Sequence, residues 1–322
     1  MTAQGQTRFT ISLVLAVALG IIQGVGLLAL LPASTALATG ETAWGLSIGG
    51  WLVMLTVLAV INLAIGYFQV VENFGAAMDM ICNIHRAIGD HIARLPLGWF
   101  RSGFAATASR LSSDGVLGLA GAVAHMVYPI YVGITSAVVL LIGTWFWEPW
   151  LGLALTVAAP LFTLLAWLAT RLARIGMTRV EPPRKELSAR IVEFSANQAA
   201  LRSAGRSGDF PPLHDALEDE GKKSRQDLWY SVGGNLLSGV GTQAVVVGLI
   251  MLAAGLALGG QLGPLEAFAF IGIALRFNQI LSEISEQRLG LESQRQNVAT
   301  VDDLLDASVL GDTTEPAALP TP

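Results

Sequence analysis

Charge is scarce in this sequence. Only 13% of its 322 residues are Asp, Glu, Lys or Arg, against about a quarter in a water-soluble domain, so the ionic coat of a soluble surface is missing. A single cysteine, Cys82, excludes an intramolecular disulfide and a cysteine-cluster metal site. An excess of positive charge is missing too. The 19 Lys+Arg stand against 24 Asp+Glu, a net charge of -5, which leaves no footprint of nucleic-acid binding. What remains is 53% hydrophobic residues, 35 glycines and a mean hydropathy of +0.58. Together these exclude a soluble enzyme, a disordered chain and a disulfide-stapled fold, and leave a polytopic helical membrane protein.

The basic residues are also unevenly placed. None occurs in 9–85, in 111–170 or in 226–275. A membrane-spanning helix needs about 20 apolar residues, so each gap holds two spans and a turn. Connections on the cytoplasmic side keep Lys and Arg while translocated ones lack them. The three gaps therefore predict three out-and-back hairpins, with spans at Phe9–Leu31, Leu46–Val71, Val116–Phe146, Trp150–Thr170, Leu228–Leu258 and Leu265–Ile284. Trp44, Trp51, Trp145, Trp147 and Trp150 cluster at the outer turns, as an interfacial aromatic belt does. The first run is longer than the core of a secretory signal and no small-residue cleavage site follows it. The expectation is six spans in the plasma (inner) membrane with both termini cytoplasmic.

The two inner connections, 72–115 and 171–227, are long, mixed in charge and largely helix-compatible. Met78, Ile81, Cys82, Ile84, Ile88 and Ile92 keep a helical period until Leu95-Pro96 interrupts it. Gly98–Ser109 reads as a turn, and helix resumes at Arg110. In the second connection Pro182-Pro183 predicts a break. An amphipathic stretch Leu187–Ala204 and a Gly205–Pro212 loop follow, and then a charged helix from Leu213. Four membrane helices prolonged well into the cytoplasm and joined in pairs suit a machine driven by a soluble partner.

At these connections the chain resembles the transmembrane domain of an exporter-fold (type IV) ABC transporter. Leu95-Pro96-Leu97-Gly98-Trp99-Phe100, followed by Arg110-Leu111 and Asp114, looks like that family's first intracellular loop. Ile191-Val192-Glu193-Phe194 with Leu201-Arg202-Ser203-Ala204-Gly205-Arg206 looks like the second. The match extends over about 10–308. The second segment, with Leu275–Phe277, is most similar to half-transporters of actinobacterial and enterobacterial siderophore uptake.

The resemblance implies an all-α fold of six long helices with two coupling helices, Phe100–Thr107 and Ala196–Ala204, docking on a nucleotide-binding domain. Phe100, Arg101, Phe104, Asn197, Leu201 and Arg202 are the implied contacts. The alternative is that both segments are amphipathic turns on the membrane surface.

No G-x-x-x-x-G-K-[ST] loop occurs, so nothing cradles a nucleotide phosphate. No catalytic residue is assigned, and the chain alone is not expected to hydrolyse ATP. Leu237-Ser238-Gly239-Val240-Gly241 and Gly259-Gly260-Gln261 imitate an ATP-binding signature. Both lie in or beside apolar spans, and their glycines read as close-packing positions. Gly311–Pro322 is rich in Pro, Thr, Ala and acid, like a linker. The expected organisation is a transmembrane domain over 1–308 and a linker over 309–322 towards an absent nucleotide-binding domain, the chain being cut from a longer one. ATP and Mg then belong to that partner domain, fused or separate, and this chain needs no cofactor. The other partners implied are the bilayer and a second half-transporter, identical or different.

Polar groups inside spans are costly and mark function. Arg276, Gln279, Glu283, Glu286 and Gln287 recur at three- or four-residue steps in the sixth helix. Arg276 lies about 16 Å along it from Leu265. Ser231, Asn235, Ser238 and Thr242 form a second stripe; Asn62, Gln69 and Glu72 or Asn73 form a third. His125 stands alone in the third span. Two arrangements are open. The stripes line a shared water-filled cavity in which Arg276 meets an anionic ligand, or Arg276 pairs with Glu72 or Glu283 and holds a gate together. A packed, hydrogen-bonded His125 is favoured over a metal ligand, and the histidines at 85, 91, 125 and 214 show no i,i+4 ligand spacing, so no metal site is assigned.

The preferred reading is half of an ATP-driven transporter working by alternating access and importing a ferric siderophore. Export of lipids, drugs or peptides is the alternative. A proton- or ion-coupled secondary transporter with Glu72, Arg276 and Glu283 as its relay is the rival of another class. It calls for broken helices and inverted repeats, and the sequence shows neither. A membrane enzyme calls for a catalytic cluster, and none is visible.

Overall fold

The runs free of Lys and Arg fold as long helices. The computed structural model describes residues 2–96, 115–206, 208 and 210–307, with the main chain only at 173, 293, 296 and 300. Six helical segments are long and apolar enough to cross a membrane: Ala3–Thr39, Ile48–Ile92, Val116–Trp147, Pro149–Ala196, Pro211–Leu258 and Pro264–Leu305. Five contain one expected span whole, and Ile48–Ile92 contains all but the first two residues of Leu46–Val71. Among the described residues there is no strand, only a bridge between Ala43 and Leu46. The expected all-α membrane fold of six long helices is what forms. Three helices have 45, 48 and 48 residues, about 70 Å each and more than twice the hydrocarbon thickness.

The chain divides into two units. The first contains α1 (Ala3–Leu28), α2 (Leu30–Thr39), α3 (Ile48–Ile92), α4 (Val116–Gly121), a π-helical turn (Ala122–Val127), α5 (Tyr128–Trp147), α9 (Pro264–Ser293) and α10 (Arg295–Leu305). Small residues on α1 set its packing. Ser12, Ala16, Gly20 and Gly24 share one buried face at steps of four. A Cβ on Gly20 would sit 2.6 Å from the Val132 carbonyl oxygen, and one on Gly24 would sit 2.7 Å from Val139 Cβ. The two glycines therefore let α1 lie directly on the α5 backbone. On α9, Phe270, Ile273, Phe277 and Ile280 are buried; Ile280 and Ile284 pack at Gly133 of α5. At the charged end Ile88, Leu95, Val116, Val301 and Leu304 form a small core joining α3, α4 and α10.

A tight turn joins α2 to α3. Gly40 and Gly45 take φ of 71° and 79°, and Trp44 takes 53°, an uncommon value for a bulky residue. Ala43 and Leu46 exchange main-chain hydrogen bonds of 3.0 and 3.1 Å. The Trp51 indole N–H donates to the Ala43 carbonyl at 3.1 Å, and the Trp44 and Trp147 rings meet at 5.4 Å. The aromatic cluster at this end thus pins the turn.

The second unit contains α6 (Pro149–Ala196), α7 (Gln198–Ser203) and α8 (Pro211–Leu258). Gly234 and Gly241 of α8 approach Ala169 and Leu165 of α6. The break expected at Pro182-Pro183 does not form; α6 runs unbroken through both prolines. Two prolines remove two helix hydrogen bonds, at about 3 kcal/mol or more each in isolation. Contacts with α8 on both sides of the pair hold the helix together. Arg179 Nη1 donates to the Tyr230 hydroxyl at 2.6 Å, Val180 is buried, and Arg184 lies 3.9 Å from Glu220. The expected amphipathic stretch Leu187–Ala204 is likewise two helices, divided at Asn197.

Candidate functional site

The polar stripe of α9 is built by spacing. Arg276, Gln279 and Glu283 lie three and seven residues apart, so they share one face. Arg276 Nη1 donates to Glu283 Oε1 at 2.9 Å and to Gln279 Oε1 at 3.3 Å. The arginine and glutamate side chains are 37% and 52% exposed. Of the two arrangements left open above, the structure shows Arg276 neutralised by Glu283 of its own helix. Glu72 instead faces Arg8 at 3.9 Å, whose side chain lies over Gly75. Because the Arg276 pair is exposed, an anionic ligand can reach it by displacing one carboxylate.

The α3 stripe has a different fate. Gln69 Nε2 donates to Ser12 Oγ at 3.1 Å, Ser12 Oγ donates to Asn73 Oδ1 at 3.1 Å, and Asn73 Nδ2 donates to the Ala124 carbonyl at 2.7 Å. All three side chains are at most 1% exposed. Gln69 therefore belongs to a buried chain of hydrogen bonds joining α1, α3 and the π-helical turn, and does not face open space. The wider π turn presents the Ala124 carbonyl to Asn73. Asn62 is half-buried, and its Oδ1 has no hydrogen-bond partner among the described residues. His125 is exposed and meets the Phe74 ring edge-to-face at 5.2 Å. Asn235 is exposed on α8, in the other unit.

Of the coupling residues, Phe100, Arg101 and Phe104 lie outside the described residues. Asn197, Leu201 and Arg202 sit at and on α7, which has no buried residue. Asn197 Nδ2 donates to the Glu193 carbonyl at 2.9 Å, fixing the corner between α6 and α7. Gly205, at φ 70°, ends α7. Its N–H donates to the Arg202 carbonyl at 3.1 Å, and the Arg206 N–H donates to the Leu201 carbonyl at 2.8 Å. This is a Schellman motif, and it gives a six-residue helix a defined end. Phe194 and Phe210, with ring centroids 5.7 Å apart, close the base of the connection. On the neighbouring turns of α6, Arg190 pairs with Glu186 and Glu193 at 2.8 and 2.6 Å. Past the apolar span, the hydrogen bond from Lys185 holds the Glu181 carboxyl below its ordinary value.

The two strings that imitate a nucleotide signature do not fit a phosphate. Leu237–Gly241 runs inside α8, where its amides are engaged in the helix. Gly241 packs on Leu165, as expected of a close-packing glycine, but Gly239, Gly259 and Gly260 do not play that role. Gly239 has open space at its Cβ position. Gly259 and Gly260 end α8, with Gly260 at φ 73° and Gln261 N–H donating to the Leu256 carbonyl at 3.0 Å. Among the described residues, no three His, Cys, Asp or Glu side chains come together to hold a metal ion.

Sequence reasoning missed Ser12, Arg8 and the π turn. A signal for Ser12 was present, since it falls in step with Ala16, Gly20 and Gly24. The π turn has a weaker signal in Pro129, which follows it and cannot donate a helix hydrogen bond.

No protein-family model matches the chain. Curated relatives do. The mycobactin import ATP-binding/permease protein IrtB of Mycobacterium tuberculosis is 25% identical over 300 residues, 90% of this chain and 50% of the relative. Its counterpart in Mycolicibacterium smegmatis is 25% identical over 305 residues, 94% of this chain and 52% of the relative. That of Mycolicibacterium thermoresistibile is 26% identical over 294 residues, 90% and 50%. The chain thus spans about half the length of the curated relatives it matches. The resemblance to ABC half-transporters of the uptake type, read from the loop motifs, is borne out by these relatives.

Proposed function

We propose that this chain is the membrane-spanning half of an ATP-driven importer of a ferric siderophore, paired with a second half and powered by a nucleotide-binding domain. The observation that carries the reading is the similarity, over 90% of the chain, to proteins named for mycobactin import whose name joins a permease to an ATP-binding part. The long helices and the exposed α7 support it physically. Closure of two ATP-binding domains draws the docking elements together, and helices of about 70 Å carry that movement to the membrane as stiff levers. Asn197, Leu201 and Arg202 are the contacts on α7, and Phe100, Arg101 and Phe104 are their counterparts on the first inner connection. ATP and Mg are held by the partner domain, and residues 309–322 lead towards it.

On the transport path, Arg276 with Gln279 and Glu283 is the ligand-facing group. Asn62, Glu72, His125 and Asn235 are further polar positions of the path. Gln69 is the exception, since its amide is engaged inside the helix packing. The membrane is the plasma membrane, with both termini cytoplasmic.

Uptake of radio-iron siderophore by cells carrying the wild-type protein, Arg276→Ala or no copy tests this. Wild-type cells accumulate iron and Arg276→Ala cells lose most of the uptake. Equal accumulation in all three strains excludes import, and wild-type uptake by Arg276→Ala removes that residue from the path.

A further inference from the structure

The basic residues of α6 fall into two groups. Arg179 donates to Tyr230, Arg184 faces Glu220, Lys185 pairs with Glu181, and Arg190 pairs with Glu186 and Glu193. Arg171 and Arg174 have no acidic partner among the described residues, and both are exposed. They are the first basic residues after the gap 111–170. Residues Trp167, Thr170, Arg171, Arg174, Ile175 and Thr178 line a cavity of about 400 Å³. The Arg171 guanidinium lies over the Trp167 ring at 5.2 Å, which holds its planar fork in a fixed attitude. The hydroxyls of Thr170 and Thr178 donate to the carbonyls of Ala166 and Ile175 at 2.8 and 3.1 Å, so the two arginines supply the free donors. The acid nearest along α8, Asp227, faces Gly176 in the α6–α8 contact, two residues and about 200° of helix from Arg174, so it does not neutralise the pair.

The depth of this cluster follows from helix length. Trp150 opens the apolar part of α6, and Arg171 closes it. The intervening rise is about 31 Å, the thickness of a bilayer's hydrocarbon core. The cavity therefore lies at headgroup level on the basic side of the membrane. Arginine recognises phosphate oxygens through two parallel hydrogen bonds, and the tryptophan beside it belongs at the same interface.

We propose that Trp167, Arg171 and Arg174 form a binding site for the phosphate of an anionic phospholipid. The site uses none of the residues proposed for the transport path and depends only on the chain's spanning the membrane, not on what it transports. Lipid at this position holds α6 at a set depth where its apolar part passes into the charged part.

Native mass spectrometry of the purified protein, titrated with phosphatidylglycerol or phosphatidylcholine in detergent micelles, tests this. The wild type retains phosphatidylglycerol in preference to phosphatidylcholine. Each arginine contributes about fivefold to binding, so Arg171→Gln with Arg174→Gln lowers retention by about 25-fold. Lys185→Gln with Arg190→Gln, whose partners are acids of their own helix, removes the same charge about three turns or more away and leaves retention unchanged. The conservative pair Arg171→Lys with Arg174→Lys keeps the charge and loses the fork, giving an intermediate value. Equal retention of the two lipids by the wild type overturns the proposal whatever the variants do. So does wild-type retention by the Gln pair. Displacement of phosphatidylglycerol by millimolar inorganic phosphate assigns the cavity to a free anion and also overturns it.

Discussion

A single methyl group placed at two positions of α1 should act in opposite directions. Gly20 and Gly26 lie six residues apart in one helix, but a Cβ on Gly20 meets the Val132 carbonyl oxygen at 2.6 Å and Thr135 Cβ at 2.7 Å. Nothing lies within 4 Å of the same atom on Gly26. Main-chain oxygen in the middle of α5 cannot step aside without moving the helix, so Gly20→Ala forces α1 and α5 apart. Overpacking of this kind costs about 1–3 kcal/mol. At Gly26 the same change only reduces backbone freedom and improves helix propensity, a gain of about 0.5–1 kcal/mol. The two variants should therefore differ by about 1.5–4 kcal/mol. Reversible unfolding of the purified protein in mixed micelles with increasing dodecyl sulfate, followed by circular dichroism, reads the difference. Gly20→Ala as stable as Gly26→Ala would refute the claim that α1 rests on α5 through its glycines.

Three further outcomes follow from the same geometry. Asn73→Ala removes the acceptor of the buried Ser12 O–H, which then keeps only the bond from Gln69, and the side-chain donor to the Ala124 carbonyl, and should destabilise the protein by about 1–3 kcal/mol in the same unfolding assay. Gly205→Val places a β-branched residue at φ 70°; it should cost about 1–2 kcal/mol and fray α7, seen as faster amide exchange over 198–206 with exchange in α9 unchanged. On the proposed transport path, Glu283→Gln removes the carboxylate that pairs with Arg276. An exposed pair of this kind is worth about 0.2–1 kcal/mol, so an anionic siderophore should bind up to about fivefold more tightly in a calorimetric titration, while Arg276→Ala should bind more weakly. Weaker binding by Glu283→Gln would show that ligand and glutamate do not share the arginine.

The parts of this fold that were legible are those governed by composition. A charge-free apolar run of about 20 residues or more has one stable form in a bilayer, so five of the six segments followed directly, and the sixth, Leu265–Ile284, followed from its apolar majority despite Glu266, Arg276 and Glu283. Arg276, Gln279 and Glu283 could be placed on one face for a similar reason, since helical spacing settles which side chains are neighbours on their own helix. Spacing does not tell what covers that face. Gln69 and Glu72 stand in one α3 stripe, yet Ser12 covers the first and Arg8 meets the second. The prolines at 182 and 183 mislead because α6 packs along α8 on both sides of them, and that partner helix lies about 40–50 residues away in sequence. The π turn has a partial local mark in Pro129, which follows it and has no N–H to donate back to its carbonyls, but the pairing of the Ala124 carbonyl with Asn73 is a tertiary detail.

The central claim is that ATP used by a partner domain is converted, through α7 and the first inner connection, into inward movement of a ferric siderophore. The direct measurement reconstitutes the protein with its second half and the ATP-binding domains in liposomes whose orientation is known, and follows radio-iron siderophore across the membrane. The account predicts accumulation towards the nucleotide side with ATP, none with a non-hydrolysable analogue, and loss of accumulation in Leu201→Asp. Accumulation that persists without ATP hydrolysis, or movement away from the nucleotide side, would contradict it.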